Sequence, residues 1–305
     1  MMDIYLPIAA VTENVFVLFG LGLSVGVVSG LFGVGGGFLL TPFLIFIGVP
    51  QAVAVASTAN QLVGASLSGV ISYWRRGSVD FQMAAVLSAG GLVGSVVGVA
   101  FFALLRRLGQ IDLVISLSYV VLLGTLGSLM LVESIGSVAR TRQSTPRPRL
   151  HQHAWIRALP GKMRFRRSKL YLSPVLPLGI GFAVGVLSAV LGIGGGFLLV
   201  PAMIYILGMP ASIVPGTSLA QNMVVAISVT ILQSWTMHTV DGVLVLILLL
   251  GGVVGVHYGS RYGARIRGDY LRILLALVIL TVGAKLLFDL TLTPHSMFSV
   301  VEREP

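Results

Sequence analysis

The sequence predicts an all-α polytopic membrane protein made of two homologous repeats. Three observations predict it. The 305 residues are 56% hydrophobic and only 10% charged, with a mean hydropathy of +0.98. A soluble domain carries about a quarter charged residues, so this chain cannot cover itself with polar surface. The apolar residues fall into eight long segments. Finally, the block Gly33-Val34-Gly35-Gly36-Gly37-Phe38-Leu39-Leu40-Thr41-Pro42 returns as Gly192-Ile193-Gly194-Gly195-Gly196-Phe197-Leu198-Leu199-Val200-Pro201.

In chain order the apolar segments run 14–48, 52–74, 80–105 and 111–132, then 174–208, 212–235, 241–262 and 270–290. A spanning helix needs about 20 apolar residues. Each half therefore holds three ordinary spans and one longer segment that its glycines interrupt. The expected units are a first repeat over 14–135, a basic cytoplasmic linker over 136–173, and a second repeat over 174–290. The repetition reaches well past the glycine block. Pro50 matches Pro210, Gln61 matches Gln221, Trp74 matches Trp235, and Val79-Asp80 matches Val240-Asp241. Gly90-Gly91 in turn matches Gly251-Gly252. Met1 to Asn14 has no basic n-region and no small-residue cleavage site, so no removable signal peptide is expected there.

Charge placement bears on orientation. Of the 20 Lys and Arg residues, half lie between Arg140 and Lys169. Basic residues concentrate in cytoplasmic loops. Suppose each interrupted segment is a hairpin of half-helices meeting at the glycines. Each half then crosses three times and the halves are inverted. That arrangement puts Arg75-Arg76, the linker, and Arg261, Arg265 and Arg267 on one side, with only Arg106-Arg107 misplaced. The loop 75–79 holds two arginines and its counterpart 236–240 none, which is the bias inversion requires. Inverted repeats are the expectation.

The glycine blocks carry the first functional reading. A helix broken inside a bilayer exposes backbone groups, tolerated only where protein or a watery cavity meets them. The apolar run resumes at Phe38 and Phe197, so each block starts a half-helix whose first amides lack intrahelical partners and carry partial positive charge. Two such N-termini meeting at mid-membrane make an anion site without a buried lysine or arginine. Gly35, Gly36, Gly37, Gly194, Gly195 and Gly196 are the candidate backbone contacts. The competing reading is that the glycines only let helices cross closely.

Polar residues just downstream are the candidate side-chain donors: Ser57, Thr58 and Gln61 in the first half, Thr217, Ser218 and Gln221 in the second. Ser57 and Gln61 are four apart, as are Thr217 and Gln221, so each pair shares a helix face. Such groups suit the oxygens of an anion, and they also join helix to helix. Asn60 and Asn222 lie in the same spans. Gln61 and Gln221 stand out because both halves keep them.

The remaining ionisable residues are less telling. Asp80 and Asp241 stand at equivalent span starts and read as helix N-caps. His257 lies in a glycine-rich span where the first half has Val96, and an intramembrane histidine is a candidate proton relay. No spacing suggests a metal site, no catalytic constellation is legible, and no cofactor is expected. With no cysteine in the chain, disulfides and thiolate chemistry are excluded. The absence of a Gly-Lys-Ser/Thr phosphate loop argues against ATP hydrolysis. The net charge of +10 sits mainly in the linker, which reads as a loop near anionic lipid heads and not as a nucleic-acid surface.

The two glycine blocks, each followed by a Gly-Xaa-Pro turn (Gly48-Val49-Pro50 and Gly208-Met209-Pro210) and then by Ser-Thr or Thr-Ser, resemble the TauE/SafE sulfite-exporter family, also called the 4-toluenesulfonate uptake permeases. The resemblance covers nearly the whole chain except 136–173. It implies a secondary transporter of small sulfur anions, such as sulfite or organosulfonates, in a bacterial or archaeal inner membrane. A homodimer is compatible with it. An anion channel of the same architecture and a non-transport membrane assembly protein are the alternatives.

Overall fold

The computed structural model describes residues 3–32, 34–140, 163–165, 167–168, 170–237, 240–263 and 268–291. Most of the basic connecting segment, with His151 and His153, lies outside these residues, as do Gly33, Arg265 and Arg267. The described residues form ten helices. The first repeat holds α1 (Val15–Phe32), α2 (Gly37–Phe46), α3 (Gln51–Arg75), α4 (Phe81–Arg107) and α5 (Ile111–Arg140). The second holds α6 (Val175–Leu191), α7 (Gly196–Ile206), α8 (Val214–Met237), α9 (Gly242–Gly263) and α10 (Gly268–Thr291). Six of these helices are long and apolar enough to cross a membrane. α3 has 25 residues, which at about 1.5 Å per residue also reaches across a bilayer. Its Ser57, Thr58, Asn60 and Gln61 dilute its apolar character.

The two short helices after the breaks differ. α2 stays α-helical through Pro42. α7 carries Pro201 at the matching place and widens into a π-helical turn over Ala202–Ile206, closed by a bond from Leu207 N to the Ala202 carbonyl. Proline removes one ladder donor, and the extra residue in the turn re-registers the bonds beyond it.

The repeats interlock. α1 packs along α9 in parallel: Gly22 lies against Leu248, Gly26 against Gly252, and Gly30 against Val256. α4 packs along α6 the same way, with Gly90 on Leu178, Gly94 on Phe182 and Gly98 on Val186. Small residues let these backbones approach closely. The equivalent helices α3 and α8 also pack together, but antiparallel: Gly69 meets Leu219 while Gly216 meets Tyr73. α5 and α10 do likewise, with Gly127 on Leu280 and Gly283 on Leu123. The two repeats are units of sequence, and their helices share one packed body.

The structure adds two elements. Strands β1 (Asp3–Leu6) and β2 (Val11–Asn14) form an antiparallel hairpin before α1. Strands β3 (Met163–Phe165) and β4 (Leu170–Leu172) form one before α6, inside the stretch read as linker. That stretch is also narrowed from its other end, because α5 continues to Arg140. Leu6 and Phe165 are both fully buried and are related by the same offset as Gly30 and Ala189. The duplication therefore includes the hairpins. Each is held by an aspartate of the other repeat. Asp241 accepts from Ile8 N (3.0 Å) and Ala9 N (3.4 Å). Asp80 accepts from the backbone N of Ser168 (3.0 Å) and from its hydroxyl. Both aspartates also cap their own helices as expected: Asp80 receives Met83 N, and Asp241 receives Val243 N and Leu244 N.

Candidate functional site

The two helix breaks meet each other. Gly35 and Gly36 take positive φ of 89° and 73°, and Gly194 and Gly195 take 72° and 70°. Two successive residues in that region are accessible only to glycine without strain. α2 then starts at Gly37 and α7 at Gly196. The next residues, Phe38 and Phe197, stack with ring centroids 4.4 Å apart and planes 10° from parallel. A side chain at Gly37 would strike the carbonyls of Gly192 and Ile193, and one at Gly196 would strike that of Val34. Each half-helix thus begins against the other break. The glycines do serve close packing here, as the competing reading required.

The two kinds of helix end at the breaks are treated differently. The carbonyl ends of α1 and α6 are met by protein donors. Tyr73 donates to the Gly30 carbonyl (3.0 Å), Tyr119 to that of Leu191 (2.6 Å), and the Gln233 amide to that of Ala189 (3.0 Å). The amide ends of α2 and α7 receive no side-chain cap. The partial negative charge is neutralised and the partial positive charge is left in place.

Along α3 and α8, which touch the breaks through Leu62 and Asn222, lies a set of polar side chains holding buried atoms with no partner among the described residues. They are Ser57 Oγ, Thr58 Oγ1, Gln61 Oε1, Ser218 Oγ, both amide atoms of Gln221, and Asn222 Oδ1. Their residues are at most 1% exposed. An unmet buried polar group costs about 1–3 kcal/mol, so a group of them needs a reason. The Gln61 carboxamide lies against Gly252 of α9, and that of Gln221 lies against Gly91 of α4. Glycines 91 and 252, equivalent in the repeat, make the room for the two glutamines.

The structure separates the sequence candidates. Thr217 is fully engaged: its hydroxyl donates to the Ile213 carbonyl (2.9 Å) and accepts from Asp80 N (3.0 Å), tying α8 to α4. Asn60 turns back on the Ala56 carbonyl. His257 is not brought to this cluster. Its ring is exposed and stands edge-on to Tyr258. Asn222, which sequence reasoning did not advance as a site residue, touches both breaks. Its Nδ2 lies 3.5 Å from the Val34 carbonyl, and its carboxamide fills the space above Gly35 and Gly196. The signal in the sequence was its place beside Gln221 in the same polar stretch; Leu62 stands at the equivalent position. Among the described residues no group of His, Asp or Glu could hold a metal. A cavity of about 420 Å³ reaches the breaks at Val34 and Phe197 and is walled by Phe32, Leu126, Met130 and Leu275.

The model of the family described as sulfite exporter TauE/SafE matches residues 18–286. A probable membrane transporter protein of Bacillus subtilis, YjnA, is 30% identical over 267 residues, covering 88% of this chain and 97% of that protein. A second from the same organism, YunE, is 25% identical over 286 residues, covering 90% and 97%. A probable membrane transporter protein of Xylella fastidiosa is 25% identical over 256 residues, covering 83% and 86%. No solved structure matches the chain.

Proposed function

Because the chain belongs to the sulfite exporter TauE/SafE family, we propose that it is a secondary transporter of small sulfur-containing anions across a bacterial or archaeal plasma membrane. Membrane transport itself follows from the family and from the six spanning helices. The anion reading is carried by one observation: at the paired breaks the carbonyl ends are capped by Tyr73, Tyr119 and Gln233, and the amide ends are not. A cation site would require the reverse.

In this reading the anion binds between α2 and α7. The amides around Gly35 to Gly37 and Gly194 to Gly196 supply the positive field. The Gln61 and Gln221 carboxamides, with Ser57, Thr58 and Ser218, donate to its oxygens. Thr217 holds α8 on α4. No covalent step is involved. The antiparallel packing of α3 on α8 and of α5 on α10 supports inverted repeats, because equivalent helices of inverted units run in opposite directions. Exchange of conformation between such units opens the site first to one side and then to the other.

The test is uptake of radiolabelled sulfite and a small sulfonate into proteoliposomes. Saturable uptake, lost in Gln61→Ala with Gln221→Ala while the protein still inserts and folds, is the expected result. Acceleration by unlabelled anion on the opposite side marks a carrier; its absence marks a channel. The filled spaces over Gly36, Gly37, Gly195 and Gly196 favour the packing reading as the rival. No uptake of either anion by folded protein would move the assignment to it.

A further inference from the structure

Leu62 and Asn222 occupy equivalent positions, each directly after its repeat's glutamine. Both are 0% exposed. Both reach the paired breaks. Leu62 packs its methyl groups on Gly35 and Gly194, and Asn222 packs its carboxamide on Gly35 and Gly196. Several neighbours are matched between the halves: Gln61 with Gln221, Gly252 with Gly91, and Phe38 stacked on Phe197. At 62 and 222 the match fails. Gly35 meets both side chains, Gly194 meets the Leu62 hydrocarbon, and Gly196 meets the Asn222 amide, whose Oδ1 has no partner among the described residues and whose Nδ2 makes one long bond.

We propose that Leu62 and Asn222 are the specificity-determining pair of the site, selecting an anion with its oxygens at one end and an apolar substituent at the other, and fixing its orientation. The inference rests on the anion-carrier reading above. A tetrahedral oxyanion with oxygen on all sides must press one oxygen against the Leu62 methyls, where it loses its hydration and gains no donor. An organosulfonate or short carboxylate avoids that by turning its oxygens to Asn222 and its carbon end to Leu62. The pseudo-twofold relation makes one further demand. If only the asymmetry matters, exchanging the two residues leaves selectivity intact and reverses the bound orientation.

The experiment uses the purified full-length protein, with ethanesulfonate and sulfate as probes. Anion-dependent thermal stabilisation gives apparent affinities, and proteoliposome uptake gives rates. Wild type is expected to prefer ethanesulfonate. Leu62→Asn should cut the ethanesulfonate-to-sulfate preference by about tenfold or more, because a hydrogen-bonding site and an apolar one discriminate by such factors. Asn222→Leu should weaken both anions. The exchange, Leu62→Asn with Asn222→Leu, should recover the wild-type ratio. The melting temperature without anion identifies any variant that fails to fold; the exchange, which conserves the total composition, is the variant that then decides. Equal changes for both anions in Leu62→Asn would overturn the proposal, as would a folded exchange variant whose ratio stays low. Wild type that takes up sulfite but prefers sulfate to ethanesulfonate, or binds neither, overturns it alone; wild type that takes up no sulfite either overturns the carrier reading and this inference with it.

Discussion

Two sets of buried polar groups in the molecule are treated in opposite ways. At the rim, Asp80 and Asp241 are 1% and 0% exposed and saturated with donors. Each caps its own helix and grips a hairpin before the other repeat's first helix. At the centre, Ser57, Thr58, Gln61, Ser218, Gln221 and Asn222 are just as buried and hold atoms with no partner. Among the described residues, partnerless buried atoms also occur on Ser29, Thr41, Gln51, Ser66, Thr230 and Gln233; the central set is distinguished by falling in two matching runs, 57–61 on α3 and 218–222 on α8, that end beside or at the residues touching the breaks, Leu62 and Asn222. The rim groups hold the protein together; in the anion-carrier reading the central groups answer to the ligand.

The sharpest way to break this comparison is to make the centre apolar. Gln61→Leu with Gln221→Leu removes orphaned amides and keeps similar bulk. If those groups serve a ligand, transport should fall by about 100-fold or more, since a site built to hydrogen-bond its substrate loses most of its discrimination when that bond goes. Thermal stability should stay level or rise by about 1 kcal/mol, because an unmet buried polar group is costly. Helix glue predicts the opposite pair of results: lower stability, with activity lost only in proportion to folded protein. Melting temperature and uptake measured on one preparation separate the two.

The rim should behave in reverse. Asp80→Ala removes a helix cap, worth about 1 kcal/mol, and strands the Ser168 amide and hydroxyl, at about 1–3 kcal/mol for a buried polar group. A loss of about 2–4 kcal/mol is expected, read as a lower melting temperature and lower yield. Asp241→Ala should match it, by loss of the bonds from Ile8 N and Ala9 N. Protease protection of the hairpins should fall in both. The per-molecule uptake of whatever protein remains folded should change far less than in the glutamine variant.

How much of this was legible in sequence depends on whether the signal was local or shared between the repeats. The helix breaks, the spans and the aspartate caps were legible, because each is a short pattern that occurs twice. The hairpins were not. Strands of three and four residues are too short to show alternation, and in the second one Arg164, Arg166 and Arg167 disguise a repeat of 3–14 as a charged linker. The interlocking of α1 with α9 and of α4 with α6 was not legible either, since it joins segments far apart in the chain. Asn222 could be read only as one more polar residue of its span, because its contact with Gly35 and Gly196 joins segments far apart in the chain.

Gly196→Ala sharpens the boundary between centre and packing. Its Cβ would strike the Val34 carbonyl and the Asn222 amide. Overpacking of this kind costs about 1–3 kcal/mol, so stability and uptake should fall together. Gly20→Ala meets open space on α1 and should change neither. Parallel loss at 196 and silence at 20 would show that the centre depends on the close approach of the breaks as well as on its donors.

The smallest effect is expected at His257. An intramembrane histidine is a functional candidate when it faces a cavity or partners inside the bundle. This one is exposed and contacts Tyr258, and the face of α9 that meets α1 is built from Gly252, Val256 and Ser260 instead. His257→Gln should therefore leave uptake within about twofold at every pH between about 5.5 and 8. A pH profile that flattens in this variant would mean that α9 rotates during transport and carries the imidazole inward. The contrast between a satisfied rim and an unsatisfied centre would then describe only one of the protein's conformations.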